Sequence, residues 1–206
     1  MSIENSFQLF VITQPENFKD EEKFISQLLE LGVSGIYLRK ANYSSTYISG
    51  ILKSIDTKFH HKLIIPFLFY DENGFQNIES IIHFKEIERT AENLSKVPAD
   101  TFLSTSIHDL NELEILADKF KIVFYSPVFE SISKPNYKQK ISLEELTKNL
   151  KPQTSNLKQL IALGGITEQN ILQVKDAGFN GAALLGSIWK SDKPIENFKK
   201  IKMIIA

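Results

Sequence analysis

Gln159–Leu185 reads QLIALGGITEQNILQVKDAGFNGAALL, and this stretch decides the fold. Its two ends, Gln159–Leu163 and Gly181–Leu185, are short runs apolar on both faces, as strands buried on two sides must be. The segment between them, Thr167–Ala177, predicts a helix: Thr167 and Asn170 stand near its start and Gly178 at its end. A strand, a helical crossover and a strand that resumes the same direction make a parallel βαβ unit.

Working outward, the same unit recurs along the chain. Strands are predicted at Phe7–Thr13, Ile36–Arg39, Lys62–Tyr70, Ile81–Phe84, Thr101–Ile107 and Ile122–Phe129. Helices are predicted at Asp20–Leu31, Ser44–Phe59, Asp109–Phe120, Ser142–Leu150 and, after the last strand, Pro194–Ile205. Eight strands in alternation with helices predict an α/β protein, a (β/α)₈ TIM barrel forming a single domain over residues 1–206. A doubly wound open sheet is the competitor, and it calls for a glycine-rich loop after the first strand. Here Thr13 is followed by Gln14, Pro15 and Glu16. The third unit is the weakest, because Asp71–Ser80 is too short for a packing helix.

Composition narrows the function. Lys+Arg 24 against Asp+Glu 25 leaves a net charge of -1, which argues against a nucleic-acid surface. Cysteine is absent, so disulfides, thiolate metal sites and cysteine nucleophiles are excluded together. No apolar run approaches a membrane span, and Met1–Ser6 is short and polar, so a cytoplasmic soluble protein is expected.

In a barrel of this type chemistry gathers at the carboxyl ends of the strands. Those positions carry Thr13, Arg39, Lys40, His83, Lys85, Glu86, Ser106, His108, Ser126, Ser131, Ser133 and Lys134. Gly164, Gly165, Gly186 and Ser187 follow strands seven and eight, where backbone N–H groups can face a phosphate. The two adjacent glycines equally suit a tight turn. Arg39 follows its apolar strand directly and is expected at the mouth. His108 is either a helix cap, shared with Asp109, or a general acid/base. His60 and His61 precede strand three, at the opposite end, and are expected in solvent. No carboxylate or histidine pair shows metal-ligand spacing.

Five motifs occur in order: Ser106-Ile107-His108, Tyr125-Ser126-Pro127-Val128-Phe129, Ser131-Ile132-Ser133-Lys134, Leu163-Gly164-Gly165-Ile166 and Leu185-Gly186-Ser187-Ile188. With Tyr37-Leu38-Arg39, they resemble the thiamine phosphate synthase superfamily, which includes the thiazole tautomerases. The resemblance implies a (β/α)₈ barrel, phosphorylated thiazole and pyrimidine ligands and, for the synthases, Mg²⁺ with pyrophosphate. Arg39, Ser106, Ser131, Ser133, Lys134 and the Gly-Gly-Ile loop match the family pattern. Pro66 and Phe67 stand where the synthases carry the Asn and Asp of their Asn-Asp-Arg motif, leaving Asp71 and Glu88 as weak metal candidates. The signature Gln is Tyr37 and the signature Lys is Ala41. The loss falls on the metal–pyrophosphate half, which implies a tautomerase-like enzyme with His108 as proton shuttle, Lys134 and Arg39 holding anionic groups, and no firm metal requirement. In the tautomerases an acidic partner follows strand two, and Lys40 occupies that place. An active, Mg²⁺-dependent synthase and a non-catalytic thiamine-phosphate-binding paralogue are the alternatives. A homo-oligomer is left open.

Overall fold

The computed structural model describes residues 6–16, 19–40, 45–73, 79–116, 118–130, 142–153 and 159–206. Eight parallel strands close into a ring in sequence order: β1 (Gln8–Ile12), β2 (Gly35–Tyr37), β3 (Leu63–Pro66), β4 (Ile81–Phe84), β5 (Leu103–Ile107), β6 (Ile122–Tyr125), β7 (Leu160–Leu163) and β8 (Gly181–Leu184). The helices are α1 (Glu21–Glu30), α2 (Ser45–Ser54), α3 (Phe67–Asn73), α4 (Ala91–Ser95), α5 (Leu113–Leu116), α6 (Leu143–Gln153), α7 (Ile171–Asp176), α8 (Gly186–Trp189) and α9 (Pro194–Ile205).

The two-residue period of a strand sorts side chains between two cores. Leu9 and Val11 join the layer between sheet and helices, while Phe10 and Ile12 join the barrel interior with Ile64, Ile122, Phe124 and Ile161. Strands such as β1 are therefore apolar on both faces, whereas β5 turns Ser104 and Ser106 inward, and a closed ring leaves no sheet edge to guard. At the seam Gln8 pairs with Gly181 and Phe10 with Ala183. A Cβ on Gly181 would lie 2.4 Å from the Gln8 carbonyl oxygen, so only glycine lets the seam close this tightly. The seam is tied again above the strands, where Trp189 Nε1 donates to the Ile12 carbonyl at 2.7 Å.

Three expectations change here. The apolar run Lys62–Tyr70 is a strand only as far as Pro66; Phe67–Asn73 is helical. Phe67, Phe69 and Tyr70 are buried while Leu68 is 41% exposed, which is a helical stripe. Proline lacks the N–H a strand would donate and is well tolerated at a helix start. The third unit thus obtains its helix from inside the apolar run. The helix expected over Asp109–Phe120 is also shorter: a 3₁₀ turn, Leu110–Glu112, leads into α5. His60 is not simply solvated. It is half-buried, and its Nε2 sits 3.2 and 3.1 Å from the Leu52 and Ile55 carbonyls at the end of α2. Among the described residues no helix is long and apolar enough to cross a membrane.

Candidate active site at the barrel mouth

A cavity of about 350 Å³ opens at the carboxyl ends of the strands. Its wall follows strand parity. Tyr37 and Arg39 come from β2, His83 and Lys85 from β4, Ser106 and His108 from β5, Phe124 and Ser126 from β6, and Leu163 and Gly165 from β7. Each pair is two residues apart, so each points inward. Gly164, Gly186 and Glu86 complete the polar part of the wall.

The two histidines are held in opposite ways. His108 is exposed and its Nδ1 lies 2.6 Å from the Ser126 carbonyl oxygen. A carbonyl only accepts, so Nδ1 carries the hydrogen and the basic lone pair sits on Nε2. The cap of the following turn is Asp109, whose carboxylate accepts from the Asn111 N–H at 2.9 Å, and His108 is not needed there. His83 is 3% exposed, with Nδ1 3.0 Å from Ser104 Oγ and Nε2 3.3 Å from Ser106 Oγ. Burial, then the charges of Lys85, Arg39 and Arg89, lowers its pKa to about 3, so this imidazole is neutral at working pH. Its ring lies against Tyr37, centroids 4.4 Å apart.

The glycine loop after β7 is built for close approach. Gly164 and Gly165 have φ of 104° and 65°. A Cβ on Gly165 would fall 2.3 Å from the Glu130 carbonyl oxygen, and Phe129 N–H donates to the Gly164 carbonyl. The two glycines therefore do serve a tight backbone contact with the loop after β6, whatever else they hold. Asn170 clamps the same loop: its Nδ2 donates to the Gly165 carbonyl at 2.9 Å and its Oδ1 accepts from Thr167 N–H at 2.8 Å. Sequence reading placed Asn170 only near a helix start. Gly186 lines the cavity and Ser187 does not, yet Ser187 Oγ is the one buried side-chain polar atom without a partner among the described residues. Ser131, Ser133 and Lys134 lie outside the described residues.

Lys40 turns away from the mouth. Its Nζ meets Glu21 Oε2 at 2.6 Å and also donates to the Gln14 and Glu16 carbonyls, while Tyr47 Oη donates to Glu21 at 2.7 Å. Both charged side chains are essentially sealed, at 1% and 0% exposure. This buried pair joins α1 to the loops after β1 and β2. Strand parity was the available signal: with Arg39 inward, Lys40 must face out.

The weak metal candidates are committed elsewhere. Asp71 pairs with Lys96 at 3.1 Å on the surface. Glu88 folds back to accept from the Lys85 N–H at 2.8 Å. Among the described residues no group of three His, Asp or Glu side chains could hold a metal ion. Among the described residues Glu86 is the only carboxylate lining the cavity, and residues 41–44, 74–78 and 131–141 contain no Asp or Glu. Mg²⁺ takes carboxylate and phosphate oxygens, so the donor set here does not fit the metal of a synthase.

A family model described as thiamine monophosphate synthase matches residues 9–188. The chain belongs to that family. The thiamine monophosphate synthase family places it in thiamine biosynthesis and agrees with the barrel described above. The thiamine-phosphate synthase of Anoxybacillus flavithermus is 31% identical over 121 residues, which span 58% of this chain and 55% of that protein. That of Oceanobacillus iheyensis is 23% identical over 93% of this chain and 95% of its own length. Among solved structures, a thiamine phosphate pyrophosphorylase from Bacteroides thetaiotaomicron superposes with a TM-score of 0.73 at 29% identity, covering 96% of this chain and 97% of that one. Another from Pyrococcus furiosus gives 0.76 at 18% identity, covering 98% and 96%, and speaks for the fold alone.

Proposed function

We propose that this family member is a thiazole tautomerase-like enzyme that binds a phosphorylated thiazole carboxylate and moves a proton on its ring without a metal. The observation that carries this reading is the carboxylate-poor mouth, with Glu86 alone beside Arg39 and Lys85. Mg²⁺ on a pyrophosphate is held by one or two protein carboxylates together with the phosphate oxygens, and the resemblance calls for two aspartates where this mouth offers Glu86. A tautomerisation needs a phosphate anchor and one proton carrier. Gly164, Gly165 and Gly186 supply backbone N–H donors on one side, with the Ser106 hydroxyl from β5, and Ser131, Ser133 and Lys134 follow β6 in the chain. His108 Nε2 takes the proton from the ring and returns it at the second position, while the Ser126 carbonyl stabilises the imidazolium through Nδ1. His83 takes no part in proton transfer, since a group with a pKa near 3 stays unprotonated throughout.

The test is turnover of the purified protein with the thiazole carboxylate phosphate, and separately with the pyrimidine pyrophosphate plus thiazole phosphate, each with and without chelator. Tautomerisation insensitive to chelator is expected. In the His108→Asn protein it should fall by roughly 10²–10⁴-fold with ligand affinity retained. Formation of thiamine phosphate that stops on adding chelator, without tautomerisation, would establish a synthase instead. Tight binding of thiamine phosphate with neither turnover would establish a binding paralogue.

A further inference from the structure

Tyr37 ends β2 and is 6% exposed, held by a tilted ring contact with His83, 38° between planes, within the barrel interior. Both nitrogens of that imidazole are bonded to serine hydroxyls. The phenol is different: Tyr37 Oη has no hydrogen-bond partner among the described residues, and it is not sealed off as Ser187 Oγ is. Tyr37 lines the cavity, so its hydroxyl opens onto it. Burial raises the phenol's pKa, so it remains an O–H donor. Arg39, two residues on, shares that wall, and its backbone carbonyl is fixed by the Thr13 hydroxyl at 3.1 Å. Its guanidinium has no carboxylate partner among the described residues. In the closed ring of eight, β2 faces β6 and β4 faces β8, so Gly186 after β8 stands a quarter-turn round the mouth from Arg39, and the Gly164-Gly165 loop after β7 stands three strands from it.

We propose that Arg39 and Tyr37 Oη form a second anion subsite, specific for a carboxylate carried on a planar heteroaromatic ring. The ring lies against the Tyr37–His83 aromatic wall, its phosphate reaches the glycine side, and its carboxylate meets Arg39 and the phenol. A planar carboxylate matches the fork of a guanidinium, and a neutral O–H completes its second oxygen. A pyrophosphate carries more charge than one arginine and one phenol can offset. This inference rests on the tautomerase-like reading and adds the group that selects its substrate.

Calorimetry on the full chain with thiazole phosphate, with and without the ring carboxylate, tests it. The carboxylate should raise affinity by at least about tenfold, the worth of a hydrogen bond to a charged group. Tyr37→Phe keeps the ring and its contact with His83, and should collapse that ratio several-fold. Arg39→Met should abolish the preference, and Arg39→Lys should restore only part of it because an ammonium is not a fork. An unchanged ratio in Tyr37→Phe overturns the subsite. Binding of the carboxylate-free phosphate with no gain from the carboxylate overturns the subsite and leaves the phosphate site standing. Binding of neither ligand overturns both.

Discussion

His83 makes this protein acid-sensitive in a way that can be calculated. Buried among Tyr37, Phe124, Ser104 and Ser106, its imidazole is held at a pKa of about 3 when folded, against an ordinary value of 6.5. Below the ordinary value the unfolded chain takes up a proton that the folded chain refuses. Stability is therefore unaffected well above 6.5 and is lost as pH falls from there toward 3. Each pH unit in that window costs about 1.4 kcal/mol. Between pH 7 and pH 5 the loss comes to roughly 2 kcal/mol. For a chain of this size that is a fall in Tm of about 4–8 °C. The perturbation is His83→Asn, which keeps an amide near Ser104 and cannot titrate. Urea unfolding of both proteins at pH 7 and pH 5 cancels every other group. The variant should start less stable, because a cavity replaces part of the ring, and should lose about 2 kcal/mol less on acidification. Equal losses in the two proteins would refute the argument and show that the imidazole is already protonated in the folded state.

Other perturbations follow from the same geometry. Lys40→Met leaves the sealed Glu21 carboxylate with Tyr47 as its remaining side-chain partner among the described residues and should cost about 3–5 kcal/mol in chemical denaturation. Gly165→Ala places a Cβ against the Glu130 carbonyl at positive φ; it should displace the loop after β7 and abolish binding of thiazole phosphate, read by calorimetry. Glu88→Gln should cost about 1 kcal/mol through the weakened cap on Lys85, and should leave any response of intrinsic fluorescence to added Mg²⁺ unaltered.

Much of the architecture was legible because it rests on period. Val11 and Phe10 face opposite cores for the same reason that Leu38 and Arg39 do, and alternation of apolar runs with helical stretches was enough to count the barrel. Position at the strand ends also put Arg39, Ser106 and His108 at the mouth, and parity would have excluded Lys40 from it. What escaped was decided by contacts between distant residues. The Lys40–Glu21 pair spans 19 positions and the His83–Ser104 pair 21, and no local pattern announces either. The helix inside Phe67–Asn73 was hidden because a short apolar run reads alike as buried strand or buried helix. Asn170 carried a capping signature, and its real bonds, to Thr167 and the Gly165 carbonyl, depend on a turn that sequence spacing does not show.

The seam between β1 and β8 also sets a timetable for synthesis. Trp189 and its acceptor at Ile12 stand 177 positions apart. A ribosome takes roughly ten to thirty seconds to make that much chain. Throughout that interval the outer edge of β1 has no partner of its own, and each newly added strand becomes the other open edge. Unpaired edges recruit strands from neighbouring chains. The nascent protein is thus most exposed to aggregation just before its last quarter emerges, and slowing translation late in the message should lower soluble yield more than slowing it early.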